Sequence, residues 1–312
     1  MVGENLSTAL ITNSSSYSNV TGNSHVGGLA GRNITSSIIK NSFATGNISG
    51  VDMIGGLVGT AGSGSTIINS FATGEVRGHD SVGGLAGNNA SGTITKSYAS
   101  GYVYGNANIG GLVGRNAGTG NINNCYATGN VFGTEGVGGL VGINDKGNIV
   151  GNDPIIINCF SSGNVRGQNK TGALIGYNMI KGIIENCFST GSARDIDGIN
   201  KVGGFYGQND GTITGSACLN NVEAQSIATF IKAGWNIEGR DGTLPVLGWE
   251  YGVNSTWYML GISNPGIING TPNNFTNLQF QPIVISQHQF NLIINTILYK
   301  LDSGLVTKGT RS

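Results

Sequence analysis

A six-residue word, Val26-Gly-Gly-Leu-Ala-Gly, recurs along this chain in close variants that start at Val26, Ile54, Val82, Ile109, Val137, Thr171 and Val202. Successive starts lie 28, 28, 27, 28, 34 and 31 residues apart. A second word keeps pace with it: Asn41-Ser-Phe-Ala-Thr-Gly, Asn69-Ser-Phe-Ala-Thr-Gly, Lys96-Ser-Tyr-Ala-Ser-Gly, Asn124-Cys-Tyr-Ala-Thr-Gly, Asn158-Cys-Phe-Ser-Ser-Gly and Asn186-Cys-Phe-Ser-Thr-Gly. Two words in register at a fixed period specify a stack of equivalent units, each of which buries its apolar face only against its neighbours.

The repeats align on Ile39, Ile67, Ile94, Ile122, Ile156 and Ile184. Their apolar stretches are short, rich in β-branched and aromatic residues, and bounded by Gly and Asn, which is the pattern of strands of three to six residues. The chain holds 55 Gly in 312 residues, against an average of about 7%, and Gly at that density opposes helix. With only 5 Pro and no three-residue Gly period it is not collagen-like, and its 38% of hydrophobic residues fall at fixed places. The expected fold is therefore all-β: a parallel β-solenoid, read as a right-handed β-helix, with about one coil per 28-residue repeat. Roughly eight coils at ~4.8 Å each would give a rod core about 40 Å long.

Each repeated residue acquires an expected role. The paired glycines and the following leucine (Gly27, Gly28, Leu29; Gly55, Gly56, Leu57; Gly83, Gly84, Leu85; Gly110, Gly111, Leu112; Gly138, Gly139, Leu140) are read as a sharp corner that needs positive φ or close backbone approach, followed by a core residue. The column Asn33, Asn89, Asn116, Asn144, Asn178 and Asn209, broken by Ala61, is placed at turns in the left-handed conformation, with amides able to bond along the stack. The Asn41 column, with Lys96 as its exception, is given the same options. The aromatic column Phe43, Phe71, Tyr98, Tyr126, Phe160 and Phe188 is read as an inward or corner-buried stack.

Three segments follow from the pattern. Residues 1–224 form the solenoid, its first coil partial; 225–260 hold Trp235, Trp249 and Trp257 and read as a cap over the open end of the array; 261–312 read as an irregular tail. The array is already running by residues 10–25, so either upstream chain is missing or a short segment caps the first coil. Two steps carry extra residues, six within Ile143–Ile155 and three around Arg194–Asn200, and insertions of this kind emerge as surface loops.

Val82-Gly-Gly-Leu-Ala-Gly, with Gly92-Thr-Ile and Lys96-Ser-Tyr-Ala-Ser-Gly behind it, resembles the GLUG repeat family, over roughly residues 18–222. The resemblance implies a bacterial or archaeal cell-surface or secreted protein. Such repeats occur in large adhesins of the filamentous-haemagglutinin type and as accessory regions of IgA-specific metallopeptidases. The peptidase motif is not present: a His-Glu-x-x-His helix needs paired imidazoles, and none of His25, His79 and His288 begins one. What the resemblance implies is a structural or adhesive module whose partner is a host or cell-surface protein or a glycan, with no cofactor.

Charge and composition narrow the partners further. Charged residues make up 10% and the formal net charge is zero, which gives no electrostatic case for nucleic acid or anionic lipid. No apolar run approaches the ~20 residues of a membrane span, and the first ten residues do not read as a signal peptide. Asp145, Asp153, Asp195 and Asp197 sit in the two longer repeats. They are read first as solvated loop acids, and alternatively as weak candidates for Ca²⁺ ligands or for the paired carboxylates of a carbohydrate-active β-helix enzyme. Cys125, Cys159 and Cys187 occupy a column filled by Ser in earlier repeats, and are expected to be free buried thiols; Cys218 lies outside it. A fragment of a larger surface protein is a further alternative.

Overall fold

The computed structural model describes residues 1–196, 203–218, 237–240, 246–247 and 257–260. It is an all-β parallel solenoid of about seven turns. Each full coil contributes one short strand to each of five parallel sheets, and every strand pairs with its copy one coil away. Sheet 1 runs from Val2–Asn5 through Ala30–Asn33 and Val58–Gly62 to Tyr206–Asn209; sheet 2 from Leu10–Thr12 to Thr212–Thr214; sheet 3 from Ser15–Ser16 to Ala217–Cys218; sheet 4 from Val20–Thr21 to Ala193–Arg194; sheet 5 from Ser24–Gly27 to Asn169–Gly172. Individual strands are two to five residues long, shorter than the periodicity suggests. The first coil, read from the sequence as partial, has all five strands, with Val2 already paired to Ala30. Among the described residues no helix is long and apolar enough to cross a membrane.

The repeated words map onto the coil with physical reasons. Inward columns are Ile39/Ile67/Ile94/Ile122 from sheet 2, Ala44/Ala72/Ala99/Ala127 from sheet 3, Ile48/Val76/Val103/Val131 from sheet 4 and Val26/Ile54/Val82/Ile109 from sheet 5, nearly all with no exposed surface. They fall into two hydrophobic clusters, one fed by sheets 1 to 3 and one by sheets 4 and 5. The glycine pair runs between them. A Cβ on Gly84 would lie 2.1 Å from the carbonyl oxygen of Gly111 and 2.8 Å from the Cβ of Ala99. The last glycine of the word serves a different contact: a Cβ on Gly87 would lie 2.4 Å from the carbonyl carbon of Met53, where sheet 1 meets sheet 5. Close backbone approach, not positive φ, is thus what these positions require.

Positive φ falls elsewhere. Asn13, Asn41, Asn69, Lys96, Asn124, Asn158 and Asn186 all have φ between +48° and +53°, so the left-handed corner belongs to the Asn41 column, for which Asn is the best non-Gly residue. The Asn33 column, expected at left-handed turns, instead lies at or next to the last residue of each sheet 1 strand, and from Asn33 to Asn178 it is fully buried.

The aromatic column is also corrected. The side chain facing the core from sheet 3 is the small Ala or Ser that follows each ring; Tyr98 and Phe188 are buried, and the other four rings are half-buried. The rings stand on the outer side and shield one another, stacked at 4.8–5.2 Å with interplanar angles of 2–14°.

The chain divides into two compact units, Met1–Ala224 with Lys232–Trp235, and Gln225–Ile231 with Asn236–Ser312. The described part of the second is a three-stranded sheet in which Trp257–Leu260 pairs parallel with Ile237–Arg240 and antiparallel with Val246–Leu247. Trp235, Trp249 and the tail 261–312 lie outside the described residues.

Candidate functional site

The insertion expected within Ile143–Ile155 is the nine-residue connector 146–154, between strands Val141–Asp145 and Ile155–Ile157; the coil before it joins the same two sheets with residues 118–120. Register is kept on both sides, Ile143 pairing with Tyr177 and Ile156 with Ile184. The extra residues therefore leave the stack without disturbing it. They border shallow clefts lined by Asp145, Lys146, Ile149, Tyr177 and Lys181 on one side, and by Asn88, Ser91 and Arg115 on the other.

The acidic residues here anchor the loop. Asp145 accepts a hydrogen bond from Arg115 of the preceding coil at 2.6 Å through Oδ2, and one from the Gly147 amide at 2.7 Å through Oδ1. Asp153 is ion-paired with Lys146, whose ammonium also donates to the Gly151 carbonyl at 2.8 Å. An acid/base pair needs two carboxyls facing one substrate. These two face separate cations. Asp195 follows the last strand of sheet 4, and Asp197 lies outside the described residues. Among the described residues no three His, Cys, Asp or Glu side chains are grouped closely enough to hold a metal ion.

Around the loop stand residues that sequence reasoning had not singled out. Tyr177 donates to Asp210 at 2.5 Å, which raises its pKa, and carries the Lys170 ammonium 4.6 Å from its ring centroid. Ile149, Val150 and Ile180 are exposed, Val150 almost completely at 96%. For Ile149 and Val150 the signal was positional, because they lie where the period is broken.

The cysteine column is structural. Cys125, Cys159 and Cys187 are free and buried. Each Sγ donates to the carbonyl two residues back, and the Cys125 and Cys159 amides donate to the next sulfur up the stack at 3.4 Å. Ser42 and Ser70 make the same bonds with Oγ, which explains why Ser and Cys exchange here. Burial pushes the Cys125 and Cys159 thiols well above the ordinary range, the opposite of a reactive cysteine.

The coil geometry now has a counterpart among known families. The GLUG motif matches this chain three times, over residues 22–49, 52–77 and 105–131. Three turns of the solenoid are GLUG motifs. Each match runs from the end of one sheet 4 strand to the next, so one GLUG motif is one turn, and the outward positions of the turn are those that vary. Comparison with curated proteins finds no match. In these turns and their neighbours the glycines, the Ile/Leu/Val columns and the buried Asn carry the stack, while chemistry that varies between turns lies outside.

Proposed function

We propose that this GLUG solenoid is a non-enzymatic structural or adhesive module of a bacterial or archaeal cell-surface or secreted protein. The observation that carries this reading is the division of labour within each turn. Interior columns are repeated almost without change and consist of packing residues and amides hydrogen-bonded along the stack. Outward columns change from turn to turn, so the rod offers a long, variable surface on a constant scaffold. The loop acids Asp145 and Asp153 support the same reading, because each is already held by a cation.

Surface labelling in the native host tests location. Intact cells treated with a membrane-impermeant amine reagent should yield labelled protein, or the labelled protein should be recovered from the medium; labelling only after lysis overturns the surface reading. Reducing-end release from a polysaccharide panel tests the absence of catalysis. Release by the wild-type chain that is lost in Asp145→Ala or Asp153→Ala would establish the carbohydrate-active alternative instead.

A further inference from the structure

Sheet 4 carries on its outward side the column Thr21, Ser49, Arg77, Tyr104, Phe132, Arg166 and Arg194, each residue the register partner of the next. The three arginines sit in different company. Arg77 is ion-paired with Glu75 at 2.5 Å and lies 4.1 Å over the Tyr104 ring. Glu75 is two residues before Arg77. The equivalent positions before Arg166 and Arg194 are the neutral Asn164 and Ser192.

Arg166 and Arg194 are both exposed, stand opposite each other in adjacent strands, and meet no acidic partner among the described residues. Adjacent parallel strands are ~4.8 Å apart, and like charges directly opposite are destabilising. The coil does not require them, since Thr21 and Ser49 fill the same column. Asn164 adds a donor: its Oδ1 accepts from the Ser192 amide and hydroxyl, at 3.3 and 2.8 Å, which turns the amide group's remaining capacity to donation. Phe132 and Tyr104 continue the strip, stacked at 4.9 Å, with the half-exposed Tyr102 edge-on at 6.5 Å.

From this juxtaposition we infer that the outward strip of sheet 4, from Tyr102 to Arg194, binds a linear acidic polysaccharide lying along the rod, with Arg166 and Arg194 taking its carboxylate or sulfate groups. The inference rests on the adhesive reading above and names its ligand class. Guanidinium planes bind such oxyanions bidentately, and two of them in a row need a ligand that presents oxyanions in a row. One coil is of the order of one sugar residue along an extended glycan, so successive substituents meet successive coils. The ligand is confined to the far end of the strip, because Asp52 and Asp80 stand side by side on the neighbouring sheet in the earlier coils.

Affinity electrophoresis of the full chain tests this, in gels containing polygalacturonate, chondroitin sulfate or neutral dextran. The wild type should be retarded by an acidic glycan and not by dextran; retardation by polygalacturonate alone identifies carboxylate as the group bound, and by chondroitin sulfate alone points to sulfate. The Arg166→Thr/Arg194→Ser variant restores the residue types of the first two coils. It should keep or raise the melting temperature while binding at least about tenfold more weakly. Arg77→Ser, which removes an arginine already neutralised by Glu75, should leave binding unchanged. Equal retardation of the double variant, equal retardation in dextran, or no retardation in any gel overturns the inference. A chain that is surface-labelled in its host but not retarded leaves the module's location standing and removes only this ligand.

Discussion

The buried Asn column exists in this molecule in two versions, whole and broken. From Asn89 upward it is continuous: Asn89 donates to Asn116, Asn116 to Asn144, Asn144 to Asn178 and Asn178 to Asn209, all at 2.8–2.9 Å. One coil below, Ala61 interrupts it. Backbone pairing runs straight through the gap, with Ala61 in register with both Asn33 and Asn89. What changes is polar satisfaction. In the second coil the Ser37 hydroxyl donates to Asn33 at 2.8 Å; beside the gap, Ser65 Oγ of the third coil and Asn89 Oδ1 of the fourth are buried with no hydrogen-bond partner. The comparison separates two functions that a repeat merges: backbone packing sets the stack, and the amide ladder serves the polar groups that stacking buries.

The largest expected effect attacks the backbone side of that comparison. Gly84→Ala pushes a methyl group to within 2.1 Å of the Gly111 carbonyl, where neither neighbour is a flexible side chain. Overpacking of this kind should cost about 3 kcal/mol, read as a shift in the denaturant midpoint. A cost below that of removing a ladder residue would show that the ladder, not the backbone crossing, dominates.

Asn116→Ala breaks the whole version of the ladder at its centre. It leaves Asn144 Oδ1 without its donor, Asn89 with one bond fewer, and the Gly120 carbonyl without the amide at 3.1 Å. Orphaned buried groups cost about 1–3 kcal/mol, and the same midpoint measurement should register a loss in that range. No loss would mean that the buried amides are indifferent to their partners.

The reverse experiment mends the broken version. In Ala61→Asn the new amide can donate to Asn89 Oδ1 and accept from Ser65 Oγ, as Asn33 accepts from Ser37. Satisfying two buried groups should raise stability by about 1 kcal/mol, since the same side chain is accommodated in the equivalent position of the seven other described coils, from Asn5 to Asn209. A lower melting temperature would show that packing around Ala61 has closed over the missing volume.

Much of this was legible in the sequence because a solenoid writes its fold as a period. Each recurring Ile, Val and Leu marks an interior column, and each Cys-for-Ser exchange marks a small buried site. Parity was harder. Ile39 and Ile48 both face inward although an odd number of residues separates them, so one residue must break the alternation. That residue is Asn41, in the left-handed conformation. Because the break precedes Phe43 rather than following it, the ring goes out and Ala44 goes in. The glycine word could be read as a corner of positive φ or close backbone approach, but the choice between them was not legible, since its contacts are with other coils and with sheet 1 against sheet 5. The partners of Asp145 and Asp153 could not be read at all: Arg115 comes from another coil, and Lys146 from a loop with no counterpart in the period. The sheet 4 arginines were visible in principle, by aligning outward positions at the same 28-residue step as the inward ones.

The smallest effect lies on the outer side of the strand that contains Ala61. Thr60 shares a hydrogen bond of 2.8 Å with His25 Nδ1, and His25 holds a left-handed φ of +52°. Burial, with a further contribution from the Arg32 charge, lowers the pKa of His25 below its ordinary 6.5. A histidine whose folded-state pKa is depressed binds fewer protons in the native state than in the unfolded chain. Its contribution is therefore complete above about pH 6.5 and declines as the pH falls below that value. Carboxylates also titrate in the acid range, so the diagnostic is a difference between two proteins: His25→Asn keeps a residue tolerant of the left-handed conformation and removes the titrating ring. The melting temperature of the wild type should fall more between pH 7.5 and 5.5 than that of the variant. Parallel pH profiles would show that His25 is as readily protonated in the folded coil as in the unfolded chain, and that the contact with Thr60 leaves the ring open to solvent.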